Sequence, residues 1–185
     1  SLDFNVINHM AKADPFKAAA ELEKRKGGMT AKDYDRALTI VDNTKRSVGS
    51  VNIAQEVLAG HIGDDGKLNV SFDQMQQEAE RKAKSIAPGD AIMLKHTSDA
   101  LRGLYNQKIY ADKQFRWENT QTVDAAIQNG VKDIQQLRSS SPDVAAAIDS
   151  LPKSEQLKLP SRINAYNAAR DKVASQDSLT RLTGL

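Results

Sequence analysis

Residues 90–129 read DAIMLKHTSDALRGLYNQKIYADKQFRWENTQTVDAAIQN, between Pro88-Gly89 on one side and Gly130 on the other. Apolar side chains recur in this stretch at spacings of three and four residues, which is typical of a helix with one buried face. No proline interrupts the pattern, and glycine and proline mark its ends. We therefore predict one long helix over residues 90–129, about 60 Å long at about 1.5 Å per residue.

A helix of this length buries an apolar stripe only if other helices pack along it. The predicted stripe consists of Met93, Ala100, Leu101, Leu104, Tyr105, Ala111, Phe115, Thr122 and Ala126. The residues that we expect to serve packing or partner contact are Leu101, Leu104, Tyr105, Phe115 and Trp117.

Capping signals predict further helices on both sides of the long one. A residue with a side-chain oxygen precedes each predicted start, and such a residue caps the free backbone N–H groups of a first helical turn. These signals are Asp14-Pro15, Thr30 with Asp33, Ser71 with Gln74, and Ser141-Pro142. We predict an all-α, elongated multi-helix domain organised around one long central helix.

Three regions follow from these boundaries. Residues 1–87 are predicted to form an N-terminal helical hairpin region, residues 88–130 the long central helix, and residues 131–185 a set of short C-terminal helices, together one continuous domain. The polar end, residues 175–185, is expected to fray unless it docks on a neighbour.

Composition excludes several classes of protein. Apolar residues make up 39% of the chain and aromatic residues 5%, which favours helices with narrow apolar stripes. Lys plus Arg is 26 and Asp plus Glu is 24, so the net charge of +2 is not that of a dedicated nucleic-acid binder. The chain has no cysteine. It contains no apolar run long enough for a membrane span and no signal-peptide pattern, and its start at Ser1 in place of Met suggests an internal cut or a cloning scar.

The loop around Asp64-Asp65-Gly66 superficially resembles a calcium loop. With Gly66 at position six of an EF-hand loop, position one is His61 and position twelve is Phe72. The first acidic ligand and the bidentate glutamate are therefore both missing. The Asp-Gly pair instead predicts a turn that reverses the chain between two helices.

No constellation of residues predicts catalysis. His9, His61 and His96 are scattered without partners at metal-ligand spacing. The glutamates fall mostly on the polar faces of predicted helices, and no G-x-S-x-G motif is present. We predict no catalytic residue, no metal ligand and no cofactor.

A basic and aromatic stretch at residues 95–117 offers an alternative function. Cations and aromatic rings on one surface grip a nucleic-acid backbone and stack on its bases. The possible nucleic-acid contacts are Lys95, Arg102, Lys108, Lys113 and Arg116. Asp99, Asp112 and Glu118 dilute the positive field, so a charged outer helix face is the favoured interpretation and nucleic acid is an unlikely partner.

Several motifs occur in an order that resembles a known group of proteins. They are DPxxAAxxL from Asp14, GGMTxxDYDRAL at 27–38, DDGKLN at 64–69 followed by SFDQM at 71–75, RWENTQTVDAAIQNG at 116–130, and LxxxSPxVAAAI at 137–148. Together they resemble the helical, non-catalytic regions of large virion proteins of tailed bacteriophages, over roughly residues 14–165. Such tail or internal, ejected proteins often carry a lytic transglycosylase domain elsewhere in the chain.

The resemblance implies a structural and interaction module in a phage particle, or in the bacterial cytoplasm during assembly. Its partners would be proteins, either other copies of itself or other virion proteins. The transglycosylase domains use a Glu followed by Ser, and no glutamate here is followed by Ser. The lytic activity is therefore not carried over to any residue of this chain, although peptidoglycan hydrolysis remains a further hypothesis to test.

Overall fold

The computed structural model describes residues 2–183, apart from the side chains of Thr180, Leu182 and Thr183. Within this range the chain forms nine α-helices, one short 3-10 turn and no named strand, so the all-α prediction is confirmed. The helices are α1 (Leu2–Ala13), α2 (Pro15–Arg25), α3 (Ala31–Gly60), α4 (Phe72–Ile86), α5 (Ala91–Gln128), α6 (Ile134–Ser139), α7 (Pro142–Ser150), α8 (Lys153–Gln156) and α9 (Leu159–Thr183).

The predicted caps form as expected. Asp14 accepts hydrogen bonds from the backbone N–H groups of Phe16 and Lys17, and Ser71 with Gln74 forms a complete capping box. Thr30 caps α3 and Ser141 caps α7 in the same way. These side chains satisfy donors that have no partner inside the helix, which is why local sequence is enough to locate them.

The predicted long helix is confirmed as α5, which contains 38 residues. Its first turn is held by Asp90, whose Oδ1 accepts a hydrogen bond from Met93 N at 3.0 Å. Two helices have no counterpart among those predicted. They are α1 and α6, and α6 is only six residues long.

The chain divides into two compact units, residues 1–108 and residues 109–185. The division falls within α5, so each unit contains part of that helix.

Unit 1 contains two apolar clusters. Helices α1, α2 and the first part of α3 contribute Ile7, Ala11, Ala18, Leu22, Ala37 and Val41. The second part of α3, α4 and the start of α5 contribute Ile53, Ala54, Val57, Met75, Ala79, Ala83, Met93 and Leu101. Small side chains at helix crossings allow close approach, and a Cβ added to Gly49 of α3 would lie 3.0 Å from Met93 Cε.

Unit 2 has one apolar cluster. It comprises Val123, Ala126, Ile127, Val131, Leu137, Val144, Ala147, Ile148, Leu151, Leu159 and Ile163. Arg162 pairs with Asp124 of α5, and Asn167 Nδ2 donates to the carbonyl of Val131 in the segment after α5 at 3.0 Å, so polar contacts also tie α9 to this part of the chain. The C-terminal stretch that the sequence predicts to fray is helical to Thr183, and residues 184 and 185 lie outside the described range.

Candidate interaction surfaces

The predicted contact residues of α5 separate into buried and exposed sets. Leu101 is 0% exposed and belongs to the unit 1 core, and Leu104 and Tyr105 are partly buried against the same cluster. The Tyr105 ring lies 5.0 Å from the Phe72 ring, centroid to centroid, in a tilted arrangement. These three residues therefore contribute to the packing of unit 1, and their predicted contact with a partner stays a prediction.

Trp117 and Tyr110 are exposed on one face of α5. Trp117 is 60% exposed and Tyr110 is 70% exposed. Residues seven apart on a helix point within about 20° of each other and lie about 10 Å apart along the axis. Lys113 lies between them on the same side and is also exposed. We call Tyr110, Lys113 and Trp117 the aromatic ridge.

Phe115 is 56% exposed but does not belong to the ridge. At about 100° per residue it points about 160° away from Trp117 and within about 20° of the buried Ala126. Phe115 therefore lies on the predicted stripe, yet more than half of its side chain is exposed. Its predicted role in contact stays a prediction.

Three of the five basic residues of α5 have partners within the protein. Lys95 pairs with Asp99 at 2.8 Å, and the Arg102 guanidinium lies 5.6 Å from the centroid of the Phe72 ring. Lys108 is half-buried and also has an interaction partner. Lys113 and Arg116 are exposed, and no carboxylate of the described residues forms an ion pair with either of them. The five residues thus do not act as one basic surface.

Unit 1 contains a groove of about 500 Å³ that the sequence did not predict. Four helices contribute its lining: Phe16, Asp42, Lys45, Arg46, Gly49, Asn52, Ile53, Glu56, Ile86, Ala87, Asp90 and Met93. Ile53 and Met93 are buried and form its floor, whereas Phe16 and Ile86 are 53% and 63% exposed on its walls. The volume falls within the range of ordinary ligand-binding clefts.

Charged side chains surround the apolar part of this groove. Arg46 Nε donates to Asp90 Oδ2 at 2.6 Å, and this hydrogen bond is the main reason that the pKa of Asp90 is lowered. Lys45 Nζ lies 5.9 Å from the centroid of the Phe16 ring. Glu56 accepts a hydrogen bond from Lys82 at 2.6 Å. Only Gly49, isolated inside a helical pattern, signals in the sequence that another element approaches closely here.

A second polar cluster joins α3 to α4. Nε2 of His61 lies 2.8 Å from Oε2 of Glu78, and Nδ1 lies 3.3 Å from Oδ1 of Asn69. The hydrogen bond from His61 is the main reason that the pKa of Glu78 is lowered. The intervening loop is the predicted turn, closed by an isolated bridge between Ile62 and Leu68. His61 therefore has a structural partner that the sequence did not indicate.

Among residues 2–183, no group of three or more His, Asp or Glu side chains is placed to hold a metal ion, and none of the helices has both the length and the apolar character of a membrane span. Comparison of the chain with protein-family models, with curated proteins and with solved structures finds no match.

Proposed function

We propose that the chain is a non-catalytic structural and interaction module of a phage or prophage virion protein. It acts by helix–helix packing in assembly, or as a spacer beside a peptidoglycan-hydrolase domain. The observation that carries the contact role is the exposure of Trp117 and Tyr110 on one face of α5, with Arg116 at its edge. Trp, Tyr and Arg are the residue types that most often dominate protein–protein binding energy. The virion setting rests on the motif resemblance.

The electrostatics of two carboxylates agree with a non-catalytic role. Glycoside cleavage uses a carboxylic acid whose pKa is raised so that it can donate a proton. The pKa of Asp90 is instead lowered by Arg46, and that of Glu78 is lowered by His61. Both are therefore ionised at neutral pH. Clearing of a peptidoglycan suspension by the isolated chain would overturn the non-catalytic assignment.

Incorporation into particles tests the virion assignment. The wild-type protein is expected in purified particles of its source phage, and Trp117→Ala is expected to reduce the incorporated amount. Leu157→Ala is the control, since it removes an apolar side chain that is 76% exposed and lies outside the predicted contact residues. Absence of the wild-type protein from particles, or equal incorporation of both variants, contradicts the proposal.

A nucleic-acid-associated function is the alternative. The observation that favours it is that Lys113 lies between Tyr110 and Trp117 on one exposed face, an arrangement suited to stacking on bases beside a phosphate. The internal partners of Lys95, Arg102 and Lys108 weaken it. Micromolar binding of a single-stranded oligonucleotide that falls steeply between 50 and 200 mM salt would favour the alternative.

A further inference from the structure

We infer that His61 and Glu78 form a pH-sensitive latch, which holds the loop of residues 61–70 against α4 while the imidazole is protonated. The His61 side chain joins three segments of unit 1. His61 directly follows the last residue of α3, contacts Asn69 at the far end of the loop, and reaches Glu78 in α4. This latch goes beyond the proposed contact role of α5 and does not depend on it.

Both ring nitrogens of His61 face oxygen atoms. Nε2 lies 2.8 Å from Oε2 of Glu78, and Nδ1 lies 3.3 Å from Oδ1 of Asn69. Ionised carboxylate and amide oxygens only accept hydrogen bonds, so both ring nitrogens donate only when each carries a proton. The side chains of His61 and Glu78 are 23% and 31% exposed, so the pair is partly shielded from water. This arrangement favours the imidazolium form of the ring.

The place of His61 at the end of α3 favours the same form. The last carbonyl groups of a helix carry partial negative charge, which attracts a cation. His61 is the C-cap residue of α3, and its backbone N–H donates to the Leu58 carbonyl at 3.1 Å. The last turn of α3 contains no basic residue of its own. The imidazolium therefore supplies the cation that this helix end lacks.

Other charges of the neighbouring helices do not replace the imidazolium. Lys82 Nζ on α4 lies 3.9 Å from Oε1 of Glu78 but 2.6 Å from Oε1 of Glu56 on α3, so its hydrogen bond goes to Glu56. Arg81 attracts Glu78 through space. Among residues 2–183, no further ion pair includes His61 or Glu78. His61 is thus the group that joins Glu78 to the loop.

The charges of the loop itself are directed to solvent and to each other. They are Asp64, Asp65 and Lys67, all of which are exposed. Lys67 Nζ lies 3.4 Å from Oδ2 of Asp65, so this pair closes within the loop. The loop therefore depends on the His61 side chain for its polar link to α4.

Loss of the ring proton weakens the latch in two ways. The attraction of His61 for the Glu78 carboxylate loses its positive partner. One ring nitrogen also becomes an acceptor, so the contact with Asn69 loses its hydrogen bond or the Asn69 amide turns over. Histidine changes charge between about pH 5 and pH 8, whereas Glu78, whose pKa is lowered, stays ionised throughout that range. The loop is therefore held more firmly at pH 5.5 than at pH 8.

Hydrogen exchange of two backbone amides in the whole chain measures the latch. Asn69 N donates to the His61 carbonyl at 3.0 Å, and Gly63 N donates to the Lys67 carbonyl at 2.8 Å, so both protons exchange when the loop opens. NMR-detected exchange gives a protection factor, the ratio of the rate in an unfolded chain to the observed rate. This ratio removes the pH dependence of the exchange chemistry itself.

In the wild type, protection of both amides should fall about fivefold from pH 5.5 to pH 8, as expected for the loss of one charged hydrogen bond at a partly exposed site. His61→Gln should abolish this fall, because the ring that titrates is gone. Glu78→Gln should reduce it, because the neutral amide distinguishes the two charge states of the ring less strongly. His96→Gln is the matched control, since it removes an exposed histidine of α5 and should leave the fall unchanged.

Three results overturn the inference. Equal wild-type protection of Asn69 and Gly63 at pH 5.5 and pH 8 does so whatever the variants show. A fall in protection that persists in His61→Gln assigns the titration to another group. An NMR spectrum in which the His61 ring carries a single proton at pH 5.5 contradicts the charged latch. None of these results bears on the proposed contact role of Trp117.

Discussion

The carboxylate of Asp90 joins the middle of α3 to the first turn of α5. Its Oδ2 accepts a hydrogen bond from Arg46 Nε at 2.6 Å, while its Oδ1 accepts one from Met93 N at 3.0 Å. One side chain thus caps a helix and closes an ion pair between helices at the edge of the groove. Two different substitutions of Asp90 distinguish the capping role from the ion pair.

Asp90→Ala removes both roles and should lower the melting temperature by about 5 °C, since a lost N-cap alone is a substantial fraction of the stability of a small domain. Asp90→Asn keeps a good cap and loses only the charge, so it should lie close to the wild type because partly exposed ion pairs contribute little. Circular dichroism melts measure both. Equal losses in the two variants would show that the ion pair, not the cap, dominates.

Acid should weaken the link between α3 and α4. The pKa of Glu78 lies below its ordinary value of 4.5, chiefly because of the hydrogen bond from His61. A carboxylate with a lowered folded-state pKa stabilises the protein fully above its ordinary value, and this contribution is lost as the pH falls through the lowered value. Glu78→Gln should therefore be less stable than the wild type at pH 6. The difference should shrink below pH 4.5, and a difference independent of pH contradicts the assignment.

Gly130, two residues beyond the end of α5, has a backbone conformation that disfavours other residues. Its φ is 91°, and a Cβ there would overlap Nη1 of Arg170. Gly130→Ala should destabilise unit 2 by about 1–2 kcal/mol, because an L-residue is strained at positive φ. Adding Arg170→Ala to Gly130→Ala removes the overlap with the guanidinium but not the positive φ at position 130. The destabilisation due to backbone strain should therefore persist in the double variant. Gly27→Ala is the control, since a Cβ at Gly27 meets nothing within 4 Å. Urea denaturation measures the unfolding free energy of both glycine variants. Equal losses for Gly130→Ala and Gly27→Ala would contradict the strain argument.

Leu101 lies in the core and Leu157 on the surface, so their substitution by alanine should affect stability differently. Leu101 is 0% exposed and Leu157 is 76% exposed. Leu101→Ala should cost about 2–5 kcal/mol of unfolding free energy, because it removes buried methyl groups and leaves a cavity. Leu157→Ala should change stability by less than about 0.5 kcal/mol. Chemical denaturation followed by circular dichroism measures both, and a small effect at Leu101 would contradict its place in the core.

The parts of the fold that were predictable depend on local chemistry. The caps at Asp14 and Ser71 satisfy backbone groups of the helices that they begin, and the extent of α5 follows from its period and its flanking Pro and Gly. The directions of Phe115 and Trp117 also follow from helical period. Whether a helix covers either ring depends on residues distant in sequence, so the exposure of Phe115 did not follow from its place on the stripe.

The unit 1 groove could not be predicted from the sequence. Phe16, Gly49, Ile86 and Met93 come from four helices, and no local pattern pairs them. Phe16 and Ile86 remain exposed, so they lie outside the apolar stripes by which a sequence reveals its core. A mid-helix glycine was the only signal, and by itself it indicates close approach without naming the partner.

Site-specific photo-cross-linking tests the central claim most directly. A benzophenone amino acid replaces Trp117 of this chain in its source cells, and Leu157, which is 76% exposed, in a parallel sample. We expect cross-links to protein from position 117 that clearly exceed those from position 157. Equal cross-linking from the two positions, or cross-links from position 117 to nucleic acid alone, would contradict a protein contact surface on this face of α5.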